Sequence, residues 1–238
     1  MYTRCIPLVQ RYGGLVSDQG ISSRARTKRP SARERAYEWI VDAILSGMFT
    51  EGEFLDEIAL AGEVGTSRTP VREALHRLQA EHFVELVPRR GAQVRVVNTT
   101  ELREVYQARF VLESDAVTKI CGRYRGSPPG FLEAIEAMEA AGQERDWNRF
   151  AQLDQLFHSS LVRHQGNAVL ADMYDSMRPR QVRLSVRTLT EAPERLDTIE
   201  REHRELRAAL DEHDGPRSVE ILNSHLYEVP EIVQAFSD

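Results

Sequence analysis

A change of pattern at Val97 constrains this chain more than any other feature. Up to that point short helical and alternating segments follow one another; beyond it every periodic segment is helical. Residues 33–47 place Ala36, Ile40, Ala43 and Ile44 at helical spacing, and Gly47 ends that run. Leu55 to Val64 reads as a second helix, with Leu55, Ile58, Ala59 and Ala61 as its apolar members. After the turn at Gly65-Thr66, Ser67 is a good N-cap for a third helix reaching about His82. Pro70 lies near its start, where proline is tolerated, and Val71, Ala74, Leu75 and Leu78 form its buried stripe. Residues 83–87 and 92–96 then alternate around Pro88-Arg89-Arg90-Gly91, the mark of a β-hairpin. Three short helices followed by a hairpin make a winged helix-turn-helix, expected over 33–97.

From residue 98 to 238 the expectation is an all-α bundle of six or seven helices, about 100–123, 130–142, 146–165, 167–189, 194–213 and 216–236. Pro179 and Pro230 should kink or split theirs. The fold class is therefore mainly α: a winged helix-turn-helix and then a helical bundle. Residues 1–32, with Arg24, Arg26, Lys28 and Arg29, read as a flexible basic tail. No apolar run approaches the ~18 residues of a membrane helix. Two cysteines, Cys5 and Cys121, cannot build a disulfide scaffold, so a cytoplasmic location is expected.

Charge marks one surface. The chain carries −6 overall, yet residues 67–95 hold six arginines against three glutamates. Arg68 and Arg72 are four apart on one helix face, and arginine bonds guanine bidentately in the major groove. The hydroxyls of Ser67 and Thr69 beside a helix N-terminus suit phosphate oxygens. Arg89, Arg90 and Gly91 give the hairpin tip charge and a closely approachable backbone, as a minor-groove wing has. A solvated arginine face would explain two arginines alone; turn, capped helix, basic face and basic hairpin together point to DNA.

The stretch Ser67 to Leu75 (Ser-Arg-Thr-Pro-Val-Arg-Glu-Ala-Leu), Arg77-Leu78, and Leu86 to Gly91 resembles the DNA-binding domain of the GntR family of bacterial transcription regulators. The resemblance implies that Arg68, Thr69, Arg72 and Gly91 approach DNA. Three positions depart from it: Ile58 stands where the family usually carries a DNA-contacting arginine, Gly62 replaces a better helix former, and His82 replaces a common glycine.

Histidines supply a second constellation. Asp154 and His158 share a helix face, and His203 and His225 lie on two further helices. Such N/O donors suit Zn²⁺, Ni²⁺, Mn²⁺ or Fe²⁺ better than Ca²⁺ or Mg²⁺. Spacing alone leaves open that each histidine is an ordinary core or surface residue. Residues 101–230 also resemble the FCD effector domain of FadR-type GntR regulators, through Tyr106, Arg109, Leu112-Glu113, Asp154, Phe157-His158, Gly166-Asn167, Glu202-His203 and His225-Leu226. That resemblance implies a divalent metal on Asp154, His158, His203 and His225, zinc first. It also implies a small organic acid bound at the metal and by an arginine, for which Arg109 and Arg183 are the candidates. The whole is expected to be a homodimeric repressor on a two-fold operator, released by its effector. The rival class is a metal-dependent oxygenase or hydrolase acting on a small carboxylate. Four protein ligands with no evident general base nearby, and an unexplained winged domain, argue against it.

Overall fold

The computed structural model describes residues 30–226. The chain divides into two compact units, one ending at Arg95 and the other beginning at Val96. The expected tail falls mostly on residues 1–29, outside the described residues, as do Cys5, Pro230 and the end of the last helix.

In the first unit α1 spans Ala32–Leu45, and the Ser31 hydroxyl caps it by accepting from Glu34 N–H at 3.1 Å. Ala36, Ile40, Ala43 and Ile44 are all buried. Helix α2 spans Glu57–Val64 and ends at Gly65, whose φ of 68° supplies a left-handed cap that a side chain would strain. Helix α3 spans Arg68–Ala80, and Val71, Ala74, Leu75 and Leu78 form its buried face. Strands β2 (Val84–Val87) and β3 (Gly91–Val94) pair antiparallel.

The second helix differs from its expected form. Leu55 does not open it: Phe54–Leu55 is a short strand, β1, pairing antiparallel with β3 in a sheet of order β1-β3-β2. Asp56 then caps α2, accepting from the N–H groups of Ile58 and Ala59. The buried α2 residues are Leu60 and Ala61, while Ile58 is 64% exposed and Ala59 is exposed too. The reason is rotational: with Leu55 out of the helix, Leu60 and Ala61 carry the contact with the core.

The second unit contains, among the described residues, α4 (Thr99–Gly122), α5 (Phe131–Gln143), α6 (Trp147–His164), α7 (Ala168–Ser176), α8 (Arg178–Glu191), α9 (Leu196–Asp211) and α10 (Gly215–His225). A single helix over 167–189 does not form; it splits at Met177, ahead of Pro179 in the first turn of α8. The core is built on Phe131 stacked against Phe157 (centroids 3.8 Å apart), with Phe150, Ile120, Met138 and Leu206 around them. Each such side chain contributes roughly 1.5–3 kcal/mol on burial. Phe157 is adjacent to His158 on α6, so this core fixes the helix face that carries the histidine and Asp154. No described helix is long and apolar enough to cross a membrane.

Candidate nucleic-acid interface and metal centre

Helix α3 starts at an open turn, so its first residues lie on the surface. Ser67, Arg68, Thr69 and Arg72 are all exposed. The Ser67 side chain makes no capping bond, leaving its hydroxyl available. Arg68 and Arg72 converge on the carboxylate of Glu57, from α2. Arg72 donates through Nε and Nη2 at 3.2 and 2.9 Å, and Arg68 through Nη2 at 3.3 Å. In the hairpin, Arg89 and Arg90 are exposed. Arg89 sits at φ 65°, and the Arg90 guanidinium lies 4.2 Å from the ring centre of Phe54. Gly91 has φ 97°, and a Cβ there would stand 3.2 Å from the Leu55 carbonyl.

In the second unit, Asp154, His158, His203 and His225 each turn one ligand atom into a cluster within 4.8 Å. Asp154 and His158 come from adjacent turns of α6, His203 from α9 and His225 from the end of α10. Nε2 of His158 lies 3.3 Å from Nε2 of His203 and 3.6 Å from Oδ1 of Asp154, which is 3.3 Å from Nε2 of His203. Ligands about 2.1 Å from one ion stand ~3.0–3.4 Å apart at right or tetrahedral angles. Asp154, His158 and His203 therefore already hold close to the spacing that a divalent ion requires, with a His225 ligand atom within 4.8 Å of them.

Two carboxylates that sequence reasoning did not assign orient these rings. Glu113, from α4, faces Nδ1 of His158 at 2.7 Å, and Glu202 faces Nδ1 of His225 at 3.0 Å. Each carboxylate can only accept, so Nδ1 carries the proton and Nε2 keeps its lone pair. Glu113 is fully buried and takes two further bonds, from Arg109 Nε at 2.9 Å and Tyr174 Oη at 2.6 Å. Its signal in the sequence was Arg109, four residues earlier on one helix face.

The electrostatics agree with this division of work. Burial would raise the carboxyl of Glu113, but His158 and Arg109 overcome it and hold the group well below its usual range. Asp154 is likewise held down against burial, by His158 and His203. Burial takes His203 to about 4, aided by its neighbour His225. Burial also lowers His225. His158 alone moves up: burial opposes its charge, and the Glu113 carboxylate reverses the effect.

A small cavity adjoins the cluster, lined by Asp154 and His225 together with Arg109, Gln181 and Arg195. About 30 Å³ of it is open to the centres of water molecules, against the ~10–15 Å³ that one water needs. Among its buried polar atoms, Nη2 of Arg109, Nε of Arg195 and both amide atoms of Gln181 have no hydrogen-bond partner among the described residues. Arg183 is buried but does not line this cavity. It stands two residues from Gln181, ~200° around the helix, while Gln181, Ser185 and Thr188 share the lining face. Arg195 sits in the short 3₁₀ turn Pro193–Arg195, a segment with no periodicity to advertise it.

Comparison with known proteins bears on both sites. Residues 32–94 match the family described as bacterial regulatory proteins, gntR family, and residues 104–228 match the FCD domain. An uncharacterized HTH-type transcriptional regulator from the TAR-I ttuE-ttuC' intergenic region of Agrobacterium vitis is 32% identical over 160 residues, spanning 66% of this chain and 87% of the relative. The HTH-type transcriptional repressor GlaR of Escherichia coli is 26% identical over 212 residues, 84% of this chain and 96% of the relative. A transcriptional regulator GntR from Rhodococcus sp. RHA1 shares the fold with a TM-score of 0.69 at 22% identity, covering 83% of this chain and 94% of its own.

Proposed function

The chain belongs to the GntR family of bacterial transcription regulators, with a C-terminal FCD domain, and from that premise we propose that a divalent metal and a small carboxylate at Asp154, His158, His203 and His225 govern its grip on operator DNA. It is a DNA-binding regulator rather than an enzyme, as its relatives are regulators. The winged helix-turn-helix takes residues 33–97 and the effector-binding, dimer-forming bundle residues 98–238. The observation that carries the metal is the convergence of four donors with Glu113 and Glu202 behind two of them. That pairing raises ligand basicity and holds the rings in place.

Zinc suits three imidazoles and a carboxylate, with Ni²⁺, Mn²⁺ or Fe²⁺ as alternatives. Bound there, the metal would offer a Lewis-acidic position to a ligand oxygen. Arg109 and Arg195 provide two cationic groups for the rest of the acid, and the Gln181 amide a neutral donor and acceptor. Arg183 takes no direct part in this clamp. The ligand is small, since the cavity holds only a few atoms until neighbouring side chains move.

On the DNA side, Arg68 and Arg72 read bases, Ser67 and Thr69 take phosphate, and Arg89, Arg90 and Gly91 follow the minor groove. A homodimer in the cytoplasm sets two such units on a two-fold operator. Repression, the role named for GlaR, is relieved when the acid prefers one arrangement of the dimer over another. Elemental analysis of untagged protein, beside the His158→Ala variant, tests the centre. One divalent ion per wild-type chain, lost in the variant, is the expected result. Metal-free wild type whose melting does not respond to added Zn²⁺, Ni²⁺ or Mn²⁺ would overturn it.

A further inference from the structure

We propose that Glu57 is a specificity-determining residue: its carboxylate splints Arg68 and Arg72 side by side and keeps both from being spent on phosphate. The inference rests on the reading of α3 as the DNA-contacting helix.

The geometry is that of one acceptor shared by two forks. Oε2 of Glu57 accepts from both arginines, while Oε1 completes a side-on bidentate pair with Arg72. Both arginines remain 58% exposed in their side chains, and Glu57 is 21% exposed. Exposed ion pairs contribute little to folding, so stability does not account for this arrangement. It does set two long side chains in fixed positions. Arginine loses much rotamer freedom when it reads a base, and a splinted fork has lost part of it beforehand. The side-on edge of Arg72 is taken by Glu57, whereas Nη1 of both arginines makes no hydrogen bond among the described residues. For Arg72 the end-on edge is therefore the one presented, and it matches O6 and N7 of guanine.

Charge gives the second half of the argument. Two guanidiniums and one carboxylate sum to a single positive charge. A phosphate approaching from the α2 side meets two arginines whose charge the partly exposed Glu57 carboxylate half cancels. Helix α2 has no lysine or arginine to offset it, and its next residue, Ile58, is apolar and 64% exposed. This edge of the surface attracts backbone weakly and favours DNA only where base acceptors meet the free arginine edges. Removing the carboxylate frees the arginines for any phosphate, which is sequence-independent attraction. The Glu57 carboxyl is held below its usual range, chiefly by its bond to Arg72, so it remains ionised at neutral pH.

The test uses the full chain. Wild type selects from duplexes with a random core of about 20 base pairs, room for two half-sites. Its enriched duplex and a scrambled duplex of equal composition are then titrated against variants over a range of salt. Glu57→Gln should bind the scrambled duplex several-fold tighter, with a salt slope steeper by about one ion. Its selected-to-scrambled ratio should fall roughly tenfold. Glu57→Asp keeps the charge but draws the carboxylate back from the shared position; it should lose part of the ratio and keep the wild-type salt slope. Should the glutamine variant melt early, the aspartate variant carries the test. Ratios within twofold of wild type in folded variants overturn the proposal. Wild-type-like binding of the selected duplex by the Arg68→Ala, Arg72→Ala double variant would instead overturn the DNA reading of α3, a separate failure.

Discussion

Replacing Glu113 by glutamine removes one charge and almost no volume, and its effect follows from three bonds. Oε1 accepts from Arg109 and from Tyr174, and Oε2 accepts from Nδ1 of His158. A glutamine keeps its oxygen where two donors point, which turns its NH₂ toward His158. Two donors then face each other unless the imidazole changes tautomer. The proton moves to Nε2, the atom 3.3 Å from His203 Nε2 and 3.6 Å from Asp154. That nitrogen can no longer ligate until the swap is reversed. Losing such an orienting partner costs ~10–100-fold in metal affinity, or about 1.4–2.7 kcal/mol. Buried Arg109 also loses its counter-charge while keeping an acceptor. The metal-free variant should therefore lose about 2–3 kcal/mol of stability and melt roughly 5–10 °C lower. Zn²⁺ titration against a competing chelator reads the first quantity, and melting without metal reads the second. Glu202→Gln is the internal control for stability: it disturbs His225, Ser224 and the charge facing Arg195, and leaves Arg109 paired. Wild-type Zn²⁺ affinity in Glu113→Gln, within a factor of two, would refute the tautomer argument.

Metal uptake should begin to weaken as pH falls through the titration of His158, above the ordinary imidazole value of ~6.5, because a ligating imidazole must be neutral. His158, whose affinity for a proton Glu113 increases, should protonate first, visible as its ring resonances titrating above those of His203 in metal-free protein. Gly91→Ala should cost about 1–3 kcal/mol in urea unfolding of the N-terminal unit, because φ 97° is strained for alanine and its Cβ meets the Leu55 carbonyl. Tyr37, which donates to Glu81 at 2.5 Å, is held protonated by burial first and that carboxylate second. A raised folded pKa gives stability that is complete below the unfolded value of ~10 and is lost as pH rises beyond it. Tyr37→Phe should therefore cost about 1 kcal/mol at pH 7 and be spared this alkaline loss in denaturant unfolding from pH 8 to 11.

What could be read from the residues depended on whether the determining contact was local. The α3 stripe of Val71, Ala74, Leu75 and Leu78 repeats with the helix turn, so it was legible before any tertiary contact was known. Leu55 was not, because its partner Ala92 lies far along the chain and a two-residue strand has no periodicity of its own. The four candidate ligands were legible through family resemblance rather than spacing. Glu113 and Glu202 stood in the same matching text without a role, since a glutamate on a helix ordinarily reads as solvated surface. For Glu113 the available signal was Arg109, four residues earlier. For the cavity arginines, helix angle mattered: Arg183 was a candidate beside Arg109, and along α8 the residues lining the cavity are Gln181, Ser185 and Thr188.

The bonds gathered on Glu113 also limit how the protein can drift over generations. Arg109, Tyr174 and His158 all depend on one side chain, and they come from three different helices. A change at any of the four leaves a buried donor or acceptor stranded, so tolerated replacements must arrive together. Among descendants of this chain, these positions should be exchanged as a set or not at all, while Arg195 and Gln181, free of that obligation, can vary singly and retune which acid is recognised.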